Sequence, residues 1–250
     1  MFKGFYNLTS GMLTQGRKLD VISNNMSNVA TTGFKQDRFT NSTFDQVMWS
    51  RVGNKHKEYV DIGEQSYITA PSQSYTDFSQ SSFDDTGMPL DFAIDGEGYF
   101  AVETDNGRIY TRAGDFMLDD EGYLCIPRRG RVLDVDGNEM RIVTDRIESD
   151  GYGGIFTKDG AFLGRLGVYA FEDDEAALEK NEYGQFVTDE QPELVQPRIY
   201  QGMLERSNVD LVQQMVDMIA SQRLYQNCAQ ASQLYNGMMS HITGDIGRIG

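Results

Sequence analysis

Residues 2–29 read FKGFYNLTSGMLTQGRKLDVISNNMSNV. Phe5, Leu8, Met12, Gln15, Leu19, Ile22, Met26 and Val29 recur at alternating steps of 3 and 4, and seven of these eight are apolar. Asn7, Ser10, Arg17, Lys18, Asp20, Ser23 and Asn24 fill the faces between them. A repeat averaging about 3.5 residues is a heptad seam, the pattern by which one helix packs along another. Four heptads of α-helix make a rod of roughly 40 Å at about 1.5 Å per residue. Such a rod cannot bury its seam against itself, so it needs a partner.

The partner lies at the other end of the chain. Leu211, Met215, Met218, Gln222, Tyr225, Ala229, Ser232 and Met239 follow the same spacing, and Val209, Val212, Val216 and Ile219 widen the first half. Asn208 stands where an N-cap belongs. Ordinary core helices also carry apolar stripes. Here, however, methionines and small polar residues occupy seam positions, which suits surfaces that meet several neighbours. The expectation is an α+β chain whose long N- and C-terminal helices pair as a coiled-coil-like stalk. The chain between them should form an all-β domain, barrel or sandwich-like.

That β texture begins at Leu90. Phe92-Ala93-Ile94 runs through Asp95-Gly96-Glu97-Gly98 into Tyr99-Phe100-Ala101-Val102, and Asn106-Gly107 signals a hairpin with Arg108–Arg112 as the return strand. Glu121-Gly122, Asp136-Gly137, Asp150-Gly151 and Asp159-Gly160 punctuate further short apolar runs. Glu172–Glu179 reads as one short helical turn. Before this domain, Phe34, Phe39 and Phe44 are spaced by five among polar residues, and Tyr67 and Ile68 lie in weakly alternating sequence. The predicted division is 1–33 and 204–250 helical, 34–89 an extended connector, and 90–203 β-rich.

The bulk numbers exclude several functions. Net charge is −16 with no basic cluster, which argues against nucleic-acid binding. There is no run of 18 apolar residues, so membrane insertion is not expected. Residues 1–10 lack the pattern of a cleaved secretory signal, so export would need a route without one. Cys125 and Cys228 form neither a metal pattern nor a disulfide framework. Asp134, Asp136, Gly137 and Glu139 are similar to part of a calcium loop, but the twelve-residue ligand pattern is absent and turn chemistry accounts for them. Gly96 and Gly98 make no dinucleotide fingerprint, and His56 and His241 have no catalytic companions in sequence. No catalytic residue, cofactor or metal is expected.

Three stretches carry a family resemblance. Residues 19–35, with Asn24-Asn25 followed by Asn28 and closed by Thr32-Gly33-Phe34-Lys35, are similar to the N-terminal signature of flagellar basal-body rod and hook proteins. Gly202-Met203-Leu204-Glu205-Arg206-Ser207-Asn208-Val209-Asp210, with Met218-Ile219 and Gln222-Arg223-Leu224-Tyr225, resembles the C-terminal motif of that family. Leu90–Phe100 and Tyr110-Thr111-Arg112-Ala113-Gly114 resemble its central domain. Nearly the whole chain is covered, most weakly over 51–86 and 142–197. The short segment after Thr43 favours the proximal-rod type.

The resemblance implies a structural, non-enzymatic subunit of the flagellar axle. It implies helical self-assembly, neighbouring rod and hook subunits, and export by the flagellar type III apparatus. The terminal helices would form an inner tube and the β-rich middle an outer layer. The residues expected at the assembly interface are Leu8, Met12, Leu19, Ile22, Asn24, Asn25, Met26, Asn28, Val29, Leu211, Met215, Met218 and Tyr225. The three asparagines are expected to cross-link subunits. Gly33 is expected at positive φ, ending the first helix, with Phe34 packing back on the terminal helices. The rival readings are a helical-stalk dimer carrying a β-rich ligand-binding domain and, ranked last, an enzyme.

Overall fold

A computed structural model of the chain describes residues 3–43, 47–52, 59–65, 69–105, 107–171, 173–181, 184–188 and 190–246. Phe44, Tyr67, Ile68 and Asn106 lie outside the described residues. The architecture is α+β, with helices at the two ends of the chain and a β-rich middle. Three helices are described: α1 (Lys3–Ser27), α2 (Asp174–Ala177) and α3 (Leu211–Ile246). The chain clusters into two compact units. One comprises Met1–Met26, Asp37–Tyr75 and Leu211–Gly250, the other Ser27–Gln36 and Thr76–Asp210. Residues 27–36, 76–89 and 204–210 therefore cluster with the β-rich middle.

In the first unit, α1 and α3 run antiparallel where they touch. A β-carbon on Gly4 would lie 3.7 Å from the Tyr235 ring, and one on Gly11 would lie 3.5 Å from the Cys228 sulfur. Seven residues separate the partners on each helix, so both contacts fall at one heptad interval. The unit also holds two antiparallel or paired ribbons. Asp37–Thr43 pairs with Thr69–Thr76, and Val47–Val52 pairs with Tyr59–Gln65. Helix α1 ends at Ser27, two residues before the last seam position at Val29. The cause is local. The Thr31 N–H donates to the Asn28 carbonyl at 3.1 Å, and the Thr31 hydroxyl reaches Asn28 Oδ1 at 3.2 Å. These bonds offer the backbone a turn in place of another helical step.

In the second unit, Tyr99–Thr104 is the central strand. It pairs antiparallel with Gly107–Thr111, as the hairpin expectation had it, and also with Gly130–Val132 and Val168–Ala170. Both of its faces are covered. Phe100 and Val102 enter a core with Phe92, Ile94, Leu124 and Ile155, while Tyr99 and Ala101 enter a second cluster with Tyr110, Leu133 and Phe186. A strand buried on both sides needs an unbroken apolar run, and Tyr99-Phe100-Ala101-Val102 supplies one. The nine-strand sheet built on it follows an open path, with no closed barrel among the described strands. A three-stranded sheet (Ile147–Ser149, Gly154–Thr157, Phe162–Arg165) and the ribbon of Phe92–Asp95 with Arg198–Gln201 contribute to the same first core. No helix among the described residues is long and apolar enough to cross a membrane.

Candidate functional site

The motifs at 32–35, 110–114 and 202–208 are far apart in sequence and meet at one buried junction in the second unit. Its centre is Glu205, at the end of strand Met203–Glu205. Glu205 Oε1 accepts from Lys35 Nζ at 2.6 Å and from the Ser81 N–H at 3.1 Å. Arg112 Nη1 stands 3.5 Å from Glu205 Oε2. All three side chains are at most 4% exposed. Lys35 Nζ also donates to the Ser79 carbonyl at 2.9 Å. Loss of water pushes the Lys35 ammonium below its ordinary range, and the Glu205 carboxylate pulls it back up.

The second layer of the junction is aromatic and acidic. The Arg112 guanidinium lies 5.0 Å from the centre of the Tyr99 ring, and the Tyr99 hydroxyl donates to Asp174 Oδ2 at 2.7 Å. Burial, reinforced by Asp174, holds the Tyr99 phenol protonated well above its usual range. Burial also raises Asp174, opposed by the Tyr99 hydrogen bond and by Arg112.

The backbone is drawn in as tightly. Gly33 has φ of +64°, and its N–H donates to the Glu205 carbonyl at 2.8 Å. A β-carbon on Gly33 would come within 2.3 Å of Ala113 N and 2.4 Å of Arg112 C, so only glycine fits. Gly33 thus acts six residues beyond the end of α1, as the close-approach point of the junction rather than as the helix terminator. Phe34 packs here as well, in place of the expected seat on the terminal helices. The Lys180 ammonium stands 4.0 Å over its ring, and Gly184 lies against the ring edge.

Asn208 does not cap α3, which begins at Leu211. Its Oδ1 accepts from the Gln36 N–H at 2.7 Å, and its Nδ2 donates to the Asp77 carbonyl at 2.8 Å. The Asn208 N–H donates to the Phe34 carbonyl at 3.3 Å. The segments that enter and leave the β-rich unit are thereby stitched to each other. Chemically this is a mechanical joint, in which the Lys35 ammonium, Glu205 Oε1 and the Asn208 amide hold chain to chain.

The helical residues singled out from sequence divide in three. Ile22 is buried, and Leu8, Met12, Leu19, Met26, Asn28, Val29 and Met218 are half-buried. Leu211, Met215 and Tyr225 are exposed, as are their neighbours Val212 (71%) and Val216 (56%). Asn25 is spent inside the chain. Its Nδ2 donates to the Asp37 carbonyl at 2.8 Å, and its Oδ1 accepts from the Asp37 N–H at 3.0 Å. The amide thus serves Asp37 as a strand neighbour would, in place of the expected link between subunits. Asn24 faces outward.

The carboxylates of the supposed calcium loop have other employment. Asp134 Oδ1 accepts from the Asn138 N–H at 2.8 Å, and Glu139 is bound to Arg131 at 2.8 Å. Sequence reasoning did not find the Lys35–Glu205–Arg112 group. The available signal was three charged residues lying inside otherwise apolar or glycine-rich motifs.

Family models match three stretches of the chain. Residues 5–35 match the model described as flagella basal body rod protein, 93–148 the flagellar hook protein FlgE/F/G D1 domain, and 200–244 the flagellar basal body rod FlgEFG protein C-terminal region. The flagellar basal-body rod protein FlgG of Bacillus subtilis (strain 168) is 33% identical over 249 residues, covering 91% of this chain and 92% of that protein. The flagellar basal-body rod protein FlgF of Mesorhizobium japonicum is 30% identical over 234 residues, covering 92% and 91%. That of Caulobacter vibrioides is 30% identical over 235 residues, covering 92% of each. Lys35, Arg112 and Glu205 fall one in each of these matched stretches, and on the likeness to these relatives the chain belongs to the flagellar basal-body rod protein family.

Proposed function

We propose that this structural rod subunit assembles with copies of itself, and with other rod and hook subunits, into a helical axle that transmits torque. In this reading α1 and α3 pair as a coiled-coil-like stalk and pack with neighbouring stalks, while the β-rich unit faces outward. The observation that carries the reading is the exposure of α3. Val212, Val216, Ile219, Leu224, Leu234 and Met238 are each 50% exposed or more along one helix, whereas the β-rich unit gathers most of its large apolar residues into two clusters and exposes others, such as Met88, Val143 and Phe162, on separate short segments. Covering one such aliphatic side chain is worth roughly 1.5–3 kcal/mol, so a row of them favours association. Contacts between unlike surfaces that do not close give a filament rather than a ring.

The interface in this reading comprises Leu8, Met12, Leu19, Ile22, Asn24, Met26, Asn28, Val29, Leu211, Met215, Met218 and Tyr225. Gly33 and Phe34 fix the chain at the junction that follows α1. Export through the flagellar type III apparatus, without a cleaved signal, belongs to the same reading. Electron microscopy of negatively stained protein, concentrated stepwise, tests it. Rod-like or helical particles are the expected result. A stable dimer that never elongates would overturn it in favour of a helical-stalk dimer carrying a ligand-binding β-domain.

A further inference from the structure

Within the first unit, α1 and Tyr225 of α3 border an open groove of about 350 Å³, lined by Met12, Leu13, Gly16, Arg17 and Asp20. Its floor is missing a side chain. A β-carbon on Gly16 would meet no atom of the described residues within 4 Å, unlike Gly4 and Gly11, which meet α3. Leu13 on its wall is 57% exposed. Elsewhere on α3, Val212, Val216 and Ile219 are 71%, 56% and 53% exposed. Their steps of 4 and 3 place them on one helical face as a ridge of β-branched side chains.

We propose that this groove receives the Val212–Val216–Ile219 ridge of a second copy of the chain. The inference rests on the assembly reading above and names the two surfaces that meet. Ridges of side chains pack into grooves between helices, and a glycine lets the incoming helix approach closely. The ridge cannot fill its own groove. Ile219 lies less than two turns from Tyr225 on the same continuous helix, so no bend brings one to the other.

Charge fits as well. The groove carries Arg17 and Asp20 on its rim, and the ridge is flanked by Asp217 and Arg223. Each surface thus presents one cation and one anion, so two copies of a chain with net charge −16 can meet here without like charges being forced together. Because ridge and groove are different surfaces, the contact leaves a free ridge at one end and a free groove at the other. It therefore propagates.

The test is cysteine cross-linking in full-length protein with Cys125→Ser and Cys228→Ala. Gly16→Cys and Val216→Cys placed in the same chain should give a ladder of disulfide-linked multimers under assembling conditions. Each single variant should give none, and a mixture of the two should give dimers. Gly16→Cys with Leu234→Cys serves as the control for random contact, since Leu234 is 70% exposed and off the ridge. Particles seen by microscopy without the ladder, or an equal ladder from the control, would overturn the groove while leaving assembly intact. Failure of wild-type protein to form particles would overturn both. As a second readout, Gly16→Leu should keep the helical circular dichroism and raise the critical concentration for assembly at least tenfold. An unchanged critical concentration would count against the proposal.

Discussion

Lys35 Nζ and Glu205 Oε1 lie 2.6 Å apart although 170 residues separate them along the chain. Neither side chain sees solvent to any extent, at 1% and 0% exposure. Removing one member of such a pair strands a charge away from water, at a cost of about 3–5 kcal/mol. Lys35→Met should therefore destabilise the β-rich unit by that order. Glu205→Gln alone should cost more than Lys35→Met, because it leaves two buried cations, Lys35 and Arg112, without their shared anion. Denaturant unfolding of the two single variants checks this, and a smaller loss for Glu205→Gln would show that Glu205 is not the centre of the group.

Asp174 offers a pH dependence with a defined sign. Its folded-state pKa lies above the ordinary 3.8, chiefly because burial disfavours the charged form. A raised folded pKa means that the native state binds the proton more tightly than the unfolded chain does. The contribution to stability is then fully present below pH 3.8 and lost as pH rises through the folded pKa. Asp174→Asn keeps an acceptor for the Tyr99 hydroxyl and removes the titration. Its stability should fall less than that of wild type across the interval just above pH 3.8, as read by unfolding free energies at closely spaced pH values.

Gly33→Val should be among the costliest single changes in the chain. It combines a left-handed backbone with a β-carbon 2.3 Å from Ala113 N. Gly160 has φ of +83° but open space around it. Gly160→Val pays only for the backbone, about 1–3 kcal/mol. Gly33→Val should exceed it by several degrees of melting temperature and should slow swimming, where Gly160→Val leaves motility near normal.

Asn25→Leu removes both hydrogen bonds to the Asp37 backbone. Leaving that N–H and carbonyl unsatisfied costs about 1–3 kcal/mol each if they stay buried. The expected signature is local. Amide exchange at Asp37 should quicken by an order of magnitude or more, while exchange at Val102 in the central strand stays slow. Uniform quickening at both sites would mean that Asn25 supports the whole fold.

Ile22 is the one large seam residue of α1 that is buried in the single chain, at 4% exposure. Ile22→Asp places an unpaired charge there, at several kcal/mol. Loss of motility is expected, with the near-ultraviolet spectrum of the β-rich unit retained. Normal swimming would show that assembly does not depend on the packing of Ile22.

Local patterning made the ends of the chain legible. The heptad steps of α1 and α3, the hairpin from Tyr99 to Thr111 and the single turn at Asp174–Ala177 are all read from neighbours within a few residues. What escaped are the partners joined across long distances. Asn208 looks like a cap because it precedes a helical pattern, yet its amide is claimed by Gln36 and Asp77. Phe34 looks like an anchor for the helices, yet its ring lies beneath Lys180. Asn25 looks available to neighbours, yet Asp37 takes it from within. In each case periodicity says which residues face inward, and only the folded chain says what they face.

The chain passes between the two units four times, and three of those passages are tied together inside the β-rich unit. Gln36, Asp77 and Asn208 stand at them, and they are hydrogen-bonded to one another. Such a knot behaves like a socket. Chain that takes no part in it, such as the open turn at Gly160, can be lengthened, shortened or exchanged without altering the separation of the segments it holds. Relatives that keep the knot could therefore differ in the size of their β-rich units.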